Sequence, residues 1–147
     1  MKNLFLLFLA VVFSLTSSAQ FKNWNTRVGA TVYAPIDKNI NWDSKSWGQR
    51  VDFTKKCVNV SLGYMQNKAG DIQVPVLFGI EKKLGKVFNF GLRGGMTFFN
   101  GKESQFTYMP SVRYEANKRW CVEQSLLRTV KDGKHASQVG LAVLYHL

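Results

Sequence analysis

Some side chains in this 147-residue sequence are of types that could do chemistry. Asp132, His135 and Ser137 match an acyl-transfer set, in which a carboxylate orients an imidazole that activates a hydroxyl. They lie together in one short turn, where Asp and Ser routinely bond nearby backbone. Turn chemistry accounts for them, and the chain is expected not to be an enzyme. His146 is the second of the two histidines, and two so placed make no metal motif, so neither metal nor cofactor is expected. Cys57 and Cys121 would be candidates for a disulfide in an oxidising compartment. Arg113 and Glu123 form an ionic candidate. They flank the turn sequence Ala116-Asn117-Lys118-Arg119, and a hairpin centred there sets them opposite one another. Asn59, Gln73 and Arg93 are further polar residues in runs that are otherwise small or apolar.

Whether such groups react or only pack depends on the elements that hold them, and those elements are strands. The stretch Val87 to Phe99 places Phe88, Phe90, Leu92, Gly94, Met96 and Phe98 on one parity, and Val87, Asn89, Gly91, Arg93, Gly95, Thr97 and Phe99, mostly small or polar, on the other. Period-two alternation of this kind is a strand with one apolar face. The preceding run, Ile72 to Glu81, repeats the pattern across the basic segment Lys82-Lys83-Leu84-Gly85-Lys86, which predicts a hairpin. Similar runs begin at Arg27, Trp47, Cys57, Gln105, Trp120 and Val139. Turn sequences separate them, among them Gln66-Asn67-Lys68-Ala69-Gly70, Asn100-Gly101 and Asp132-Gly133. Strand two, about Trp47 to Thr54, is the weakest pattern. Eight strands joined by turns predict a meander that closes into a barrel. Pro75 and Pro110 fit poorly, since proline removes a ladder donor. They predict either bulges or strands at a sheet margin.

The formal charge of +11 with 46% hydrophobic residues excludes a charged disordered chain. The lysines are scattered through short turns, with no basic helix or aromatic RNA-binding signature, which argues against nucleic acid. Lys2, the apolar run Leu4 to Leu15 and the small residues Ser17-Ser18-Ala19 have the form of a secretory signal peptide cut before Gln20. Residues 1–19 are therefore assigned to the leader and 20–147 to the barrel. No later stretch reaches the ~18 apolar residues of a membrane helix, so a membrane-embedded mature chain must be a closed barrel.

Two kinds of barrel fit. A lipocalin-like, secreted or periplasmic barrel would carry polar residues outside and bind an apolar ligand within. A transmembrane barrel reverses the faces. The arginines of the central strands, Arg93 and Arg113, share a parity with Gly29, Gly63, Gly79, Gly91, Gly95 and Gly140, while Lys55, Lys56, Lys82, Lys83, Lys86 and Lys118 fall in turns. That distribution favours the transmembrane form, with small residues relieving a crowded interior. Arg113 and Glu123 then face inward as a structural pair that plugs the lumen, accompanied by Asn59, Gln73 and Arg93. Tyr33, Tyr64, Phe98, Phe99, Tyr108, Tyr114, Trp120 and Tyr145 are placed for aromatic girdles. Cys57 and Cys121 would begin opposed strands, both facing inward. A round barrel holds such positions further apart than the ~7 Å limit for a bridge, which favours two free thiols.

With its leader, its alternating runs and the terminal stretch Val139 to Leu147, the chain resembles a small outer-membrane β-barrel of the OmpA/OmpX type over essentially its whole mature segment. The Ser18-Ala19-Gln20 ending of the leader is similar to those of Bacteroidetes envelope proteins. The resemblance implies an all-β, eight-stranded antiparallel up-and-down transmembrane β-barrel in the outer membrane. It also implies contact with outer-membrane lipid and insertion by the barrel-assembly machinery. Such barrels commonly end on an aromatic residue; here Leu147 takes that place, with Tyr145 two residues earlier. The sequence stops with the barrel, so no OmpA-like peptidoglycan-binding domain is expected. The function expected is structural or surface-interacting, with no specific protein partner indicated.

Overall fold

The computed structural model describes residues 23–36, 44–101, 103–131 and 134–147. The expected leader and the beginning of the mature segment lie outside the described residues, as do Asp132 and Gly133. Eight strands follow in order: β1 (Asn25–Pro35), β2 (Ser46–Lys55), β3 (Val58–Asn67), β4 (Ile72–Leu84), β5 (Phe88–Phe99), β6 (Glu103–Glu115), β7 (Trp120–Lys131) and β8 (Lys134–His146). Each pairs antiparallel with its sequence neighbour, and β8 returns to β1 to close the barrel. The fold class is therefore the one the sequence pattern implies: an all-antiparallel, up-and-down, eight-stranded barrel.

Local sequence explains the turns. Asn100 and Gly101, in the loop between β5 and β6, take φ of 49° and 66°, a left-handed geometry that asparagine and glycine tolerate best. Gly85 at φ 70° plays the same part between β4 and β5. That turn is shorter than expected, because Lys82 and Lys83 continue β4.

The prolines produce neither bulges nor margins. Between β3 and β4 the pairing lapses after Leu62↔Val76 and resumes at Met65↔Gln73 on the same register. Between β6 and β7 it lapses after Tyr108↔Arg128 and resumes at Ser111↔Ser125, again without a shift. Each proline thus interrupts one ladder while the strand stays inside the closed wall. Gly63 makes room beside Pro75, since a Cβ there would lie 2.8 Å from the proline ring.

The outer wall is apolar. Ile80, Phe90, Leu92, Phe98, Phe106, Leu141 and Val143 are all exposed, with Leu92 at 53%. From Phe88 to Phe98, ten residue steps of ~3.4 Å at a tilt of ~40° span about 26 Å, close to the apolar band of a transmembrane barrel. Aromatic pairs sit at the end that carries the chain termini. Phe88 packs tilted against Tyr114 at 5.5 Å, and Trp120 meets Tyr145 edge to face at 4.9 Å. Tyr33, expected in a girdle, instead turns into the lumen at 2% exposure. Gly140 opposite leaves the space, for a Cβ there would collide with the Tyr33 ring.

Candidate functional site

The lumen is divided along its axis. In the half away from the termini, Tyr33, Met65, Leu77, Met109 and Leu127 form a buried apolar cluster. Its polar tip is satisfied locally: Ser125 Oγ donates to the Tyr33 hydroxyl at 3.2 Å, which donates to Met109 Sδ at 3.3 Å. Beyond it, Thr107 Oγ1 donates to Thr97 Oγ1 at 2.8 Å. Gln73 is buried near this end, away from the charged residues.

The other half holds a charge network. Arg113 stands opposite Glu123 in the β6–β7 register and donates to it from Nη2 at 2.6 Å. The same guanidinium reaches Asp52 at 2.7 Å and Glu81 at 2.6 Å. Arg93 grips Glu123 with both terminal nitrogens, at 3.0 and 2.9 Å, and donates from Nε to Asn59 at 2.6 Å. Arg50 contacts Glu123 at 2.8 Å and Asp52 at 3.1 Å. Arg27 holds Glu81 at 3.2 Å and Thr54 at 3.1 Å. Ser61 donates to Asp52 at 2.7 Å.

Asn59, Arg93, Arg113 and Glu123, placed inward by the sequence pattern, are thus brought into one cluster, whereas Gln73 is not. Arg27, Arg50, Asp52 and Glu81 belong to it without having been singled out. Their strand parity was the available signal, since Arg50 and Asp52 alternate with Val51 and Phe53. The reach of β6 to the opposed β2, seen in Arg113–Asp52, is not a local property. Charges so desolvated are favourable only when fully paired. The arrangement fills space and neutralises charge, and Glu123 is fully shielded from solvent by its partners.

Below the network, at the terminal end, a basin of about 600 Å³ opens to solvent. Arg27, Glu81 and Asn89 lie among its lining, with Lys83 from the end of β4 and Lys56, Lys86 and Lys118 from three separate turns. Glu115 is bonded by Asn89 Nδ2 at 2.8 Å and by His146 Nε2 at 2.9 Å. Glu115, Cys121 and His146 have ligand atoms within 4.8 Å of one another, a mixed set of metal-binding types. The surrounding lysines and Arg27 oppose a divalent cation there.

Cys121 is buried, but Cys57 is exposed and lies in the turn before β3, not inward at the start of that strand. Both thiols are free. Of the Asp132–His135–Ser137 grouping, His135 is exposed and Ser137 partly buried, while Asp132 lies outside the described residues. At the barrel end away from the termini, Asp71 accepts from Asn67 Nδ2 at 2.9 Å and from Asn100 Nδ2 at 3.2 Å. These bonds, that from Asn67 first, hold its carboxyl below its ordinary value of 3.8.

No protein-family model and no curated protein sequence matches the chain. Solved structures do. A de novo designed transmembrane β-barrel aligns with TM-score 0.70 and 11% identity, covering 84% of this chain and 95% of the design. The N-terminal β-barrel domain of Pseudomonas aeruginosa OprF aligns with TM-score 0.69 and 11% identity, over 84% of this chain and 97% of that one. The Yersinia pestis outer membrane protein Ail aligns with TM-score 0.60 and 8% identity, over 86% of this chain and all of its own. At such identities the likeness is one of fold, and the fold is that of small eight-stranded transmembrane barrels.

Proposed function

We propose that the chain is an integral outer-membrane barrel whose filled lumen serves a structural or surface-interaction role rather than conduction or catalysis. The observation that carries this reading is the inversion of the faces. Large apolar side chains cover the exposed wall, while Arg93, Arg113 and Glu123 are buried inside it. In water such a wall would be a large aggregation-prone patch, whereas in hydrocarbon it is the favourable surface. The secretory leader expected over residues 1–19 and the outer-membrane setting of Ail support the same placement. Lipid would then cover the wall, and the barrel-assembly machinery would insert the chain after cleavage near Ala19.

A lipocalin-like carrier calls for an apolar internal cavity. Here paired charges and the Tyr33 cluster occupy the described lumen. For a surface role, the hydrogen bonds joining Asn67, Asp71, Ile72 and Asn100 give the β3–β4 and β5–β6 connections a braced rim.

Membrane fractionation tests the proposal. The protein should resist carbonate and high-salt extraction, and its unheated form should migrate differently from the boiled chain on a denaturing gel. Release into the soluble fraction together with identical mobilities would overturn it.

A further inference from the structure

We infer that the basin at the terminal end of the barrel is a binding site for a multiply charged, phosphate-type anion. Lys56, Lys83, Lys86 and Lys118 line it, and none forms an ion pair or hydrogen bond among the described residues. The basin's carboxylates are already engaged: Glu81 by Arg27 at 3.2 Å and Arg113 at 2.6 Å, and Glu115 by Asn89 at 2.8 Å and His146 at 2.9 Å. Together with Arg27, the lining holds five cations against two carboxylates, a surplus of three positive charges. Arg27 itself is only 4% exposed and is held on the network side of the basin by Glu81 and Thr54, so the four lysines are the cations free to meet an incoming anion.

Three turns and the end of β4 fix these like charges around one concavity, which focuses a positive field. A phosphoryl group brings about −1.5 to −2 charges near neutral pH, so two of them match the surplus. The volume of about 600 Å³ is ample for a partly hydrated diphosphate. The basin lysines are distinct from Lys55 and Lys82, whose strand parity sets them on the outer wall, where Lys55 lies over the Trp24 ring. A lipid headgroup would meet that wall; a soluble anion would enter the basin. The inference depends on the folded barrel and not on its location, so fractionation and binding can fail independently.

The test uses the full chain folded in zwitterionic micelles, titrated calorimetrically with inorganic pyrophosphate. The expected result is saturable binding, weakened at least tenfold in Lys83→Gln/Lys86→Gln and in Lys56→Gln/Lys118→Gln, and within twofold of wild type in Lys55→Gln/Lys82→Gln. Raising the salt should weaken it further. In parallel, pyrophosphate should shield Lys56, Lys83, Lys86 and Lys118, but not Lys55 and Lys82, from an amine-reactive label read by mass spectrometry. That measurement needs no variant to fold. Absence of saturable binding, or equal loss in the outer-wall variant, overturns the inference. So does binding confined to anionic-lipid nanodiscs and abolished by Lys55→Gln/Lys82→Gln, which would assign the lysines to headgroups.

Discussion

Arg93 and Glu123 lie 30 residues apart on non-adjacent strands, yet both terminal nitrogens of the guanidinium bond both oxygens of the carboxylate, at 3.0 and 2.9 Å. Arg113, directly across the ladder from Glu123, makes a single shorter bond to it at 2.6 Å. Glu123 therefore serves more than the hairpin partner its position in sequence implies. It also answers Arg50 at 2.8 Å, so one carboxylate restrains three cations.

Glu123→Ala should accordingly be among the most damaging lumen substitutions. Losing one partner of a dry ion pair costs about 3–5 kcal/mol, and here three guanidiniums share the lost carboxylate, Arg93 keeping only Asn59 as a hydrogen-bond partner at close range. Urea titration of the barrel in lipid should show the midpoint falling by that equivalent. A change within error of wild type would mean that water already solvates the network.

The same substitution should alter conduction. In planar bilayers the wild-type barrel should pass negligible monovalent current, because the Tyr33–Met109–Leu127 cluster and the charge network close the lumen in series. Brief openings should become more frequent in Glu123→Ala. Large steady openings in the wild type contradict a filled lumen.

Position along the wall should govern tolerance of charge. Leu92 lies midway along the outward row of β5 and Phe98 near its end, both exposed. Arginine on the lipid face costs about 2–4 kcal/mol at the midplane and about 0–1 near the interface. Leu92→Arg should therefore reduce folding into lipid far more than Phe98→Arg. Equal yields for the two variants would count against a membrane-embedded wall. Thr97, also on β5, is unsuitable as an inward control, because it is fully buried against Thr107.

The thiols should separate by accessibility. Cys57 is exposed and Cys121 buried, so a maleimide should label one thiol per folded chain and the second only after denaturation. An oxidised, unreactive pair would contradict the placement of Cys57 in its turn.

Asp71 should titrate below its ordinary value of 3.8, owing to the bonds from Asn67 and Asn100. Its unfolded form takes up a proton more readily than its folded form. The loop stabilisation it supplies is therefore fully present well above pH 3.8, and is lost as pH falls through the lower folded value. Carbon-detected NMR of the carboxyl should give a midpoint below 3.8, moving part of the way back toward that value in Asn67→Ala, where the Asn100 bond remains; a midpoint at or above 3.8 in the wild type would refute the bracing.

Local sequence determined the strands, most of the turns and the side of the wall that most strand residues occupy, though not that of Tyr33 or Cys57. Side-chain direction alternates strictly along a strand, so Phe90 and Leu92 outward and Arg93 inward follow from parity alone. Asn100-Gly101 likewise specifies its own turn. Closure decided the rest. That Arg113 reaches Asp52, that Arg93 takes Glu123, and that Tyr33 lies in the lumen beside Gly140 all depend on how far opposite walls stand apart and how the strands stagger. Those distances are set jointly by eight strands, and no window of sequence contains them. The prolines make the same point. Pro75 and Pro110 read locally as breaks, but pairing on both sides holds the register, and the barrel absorbs each as a short gap in one ladder.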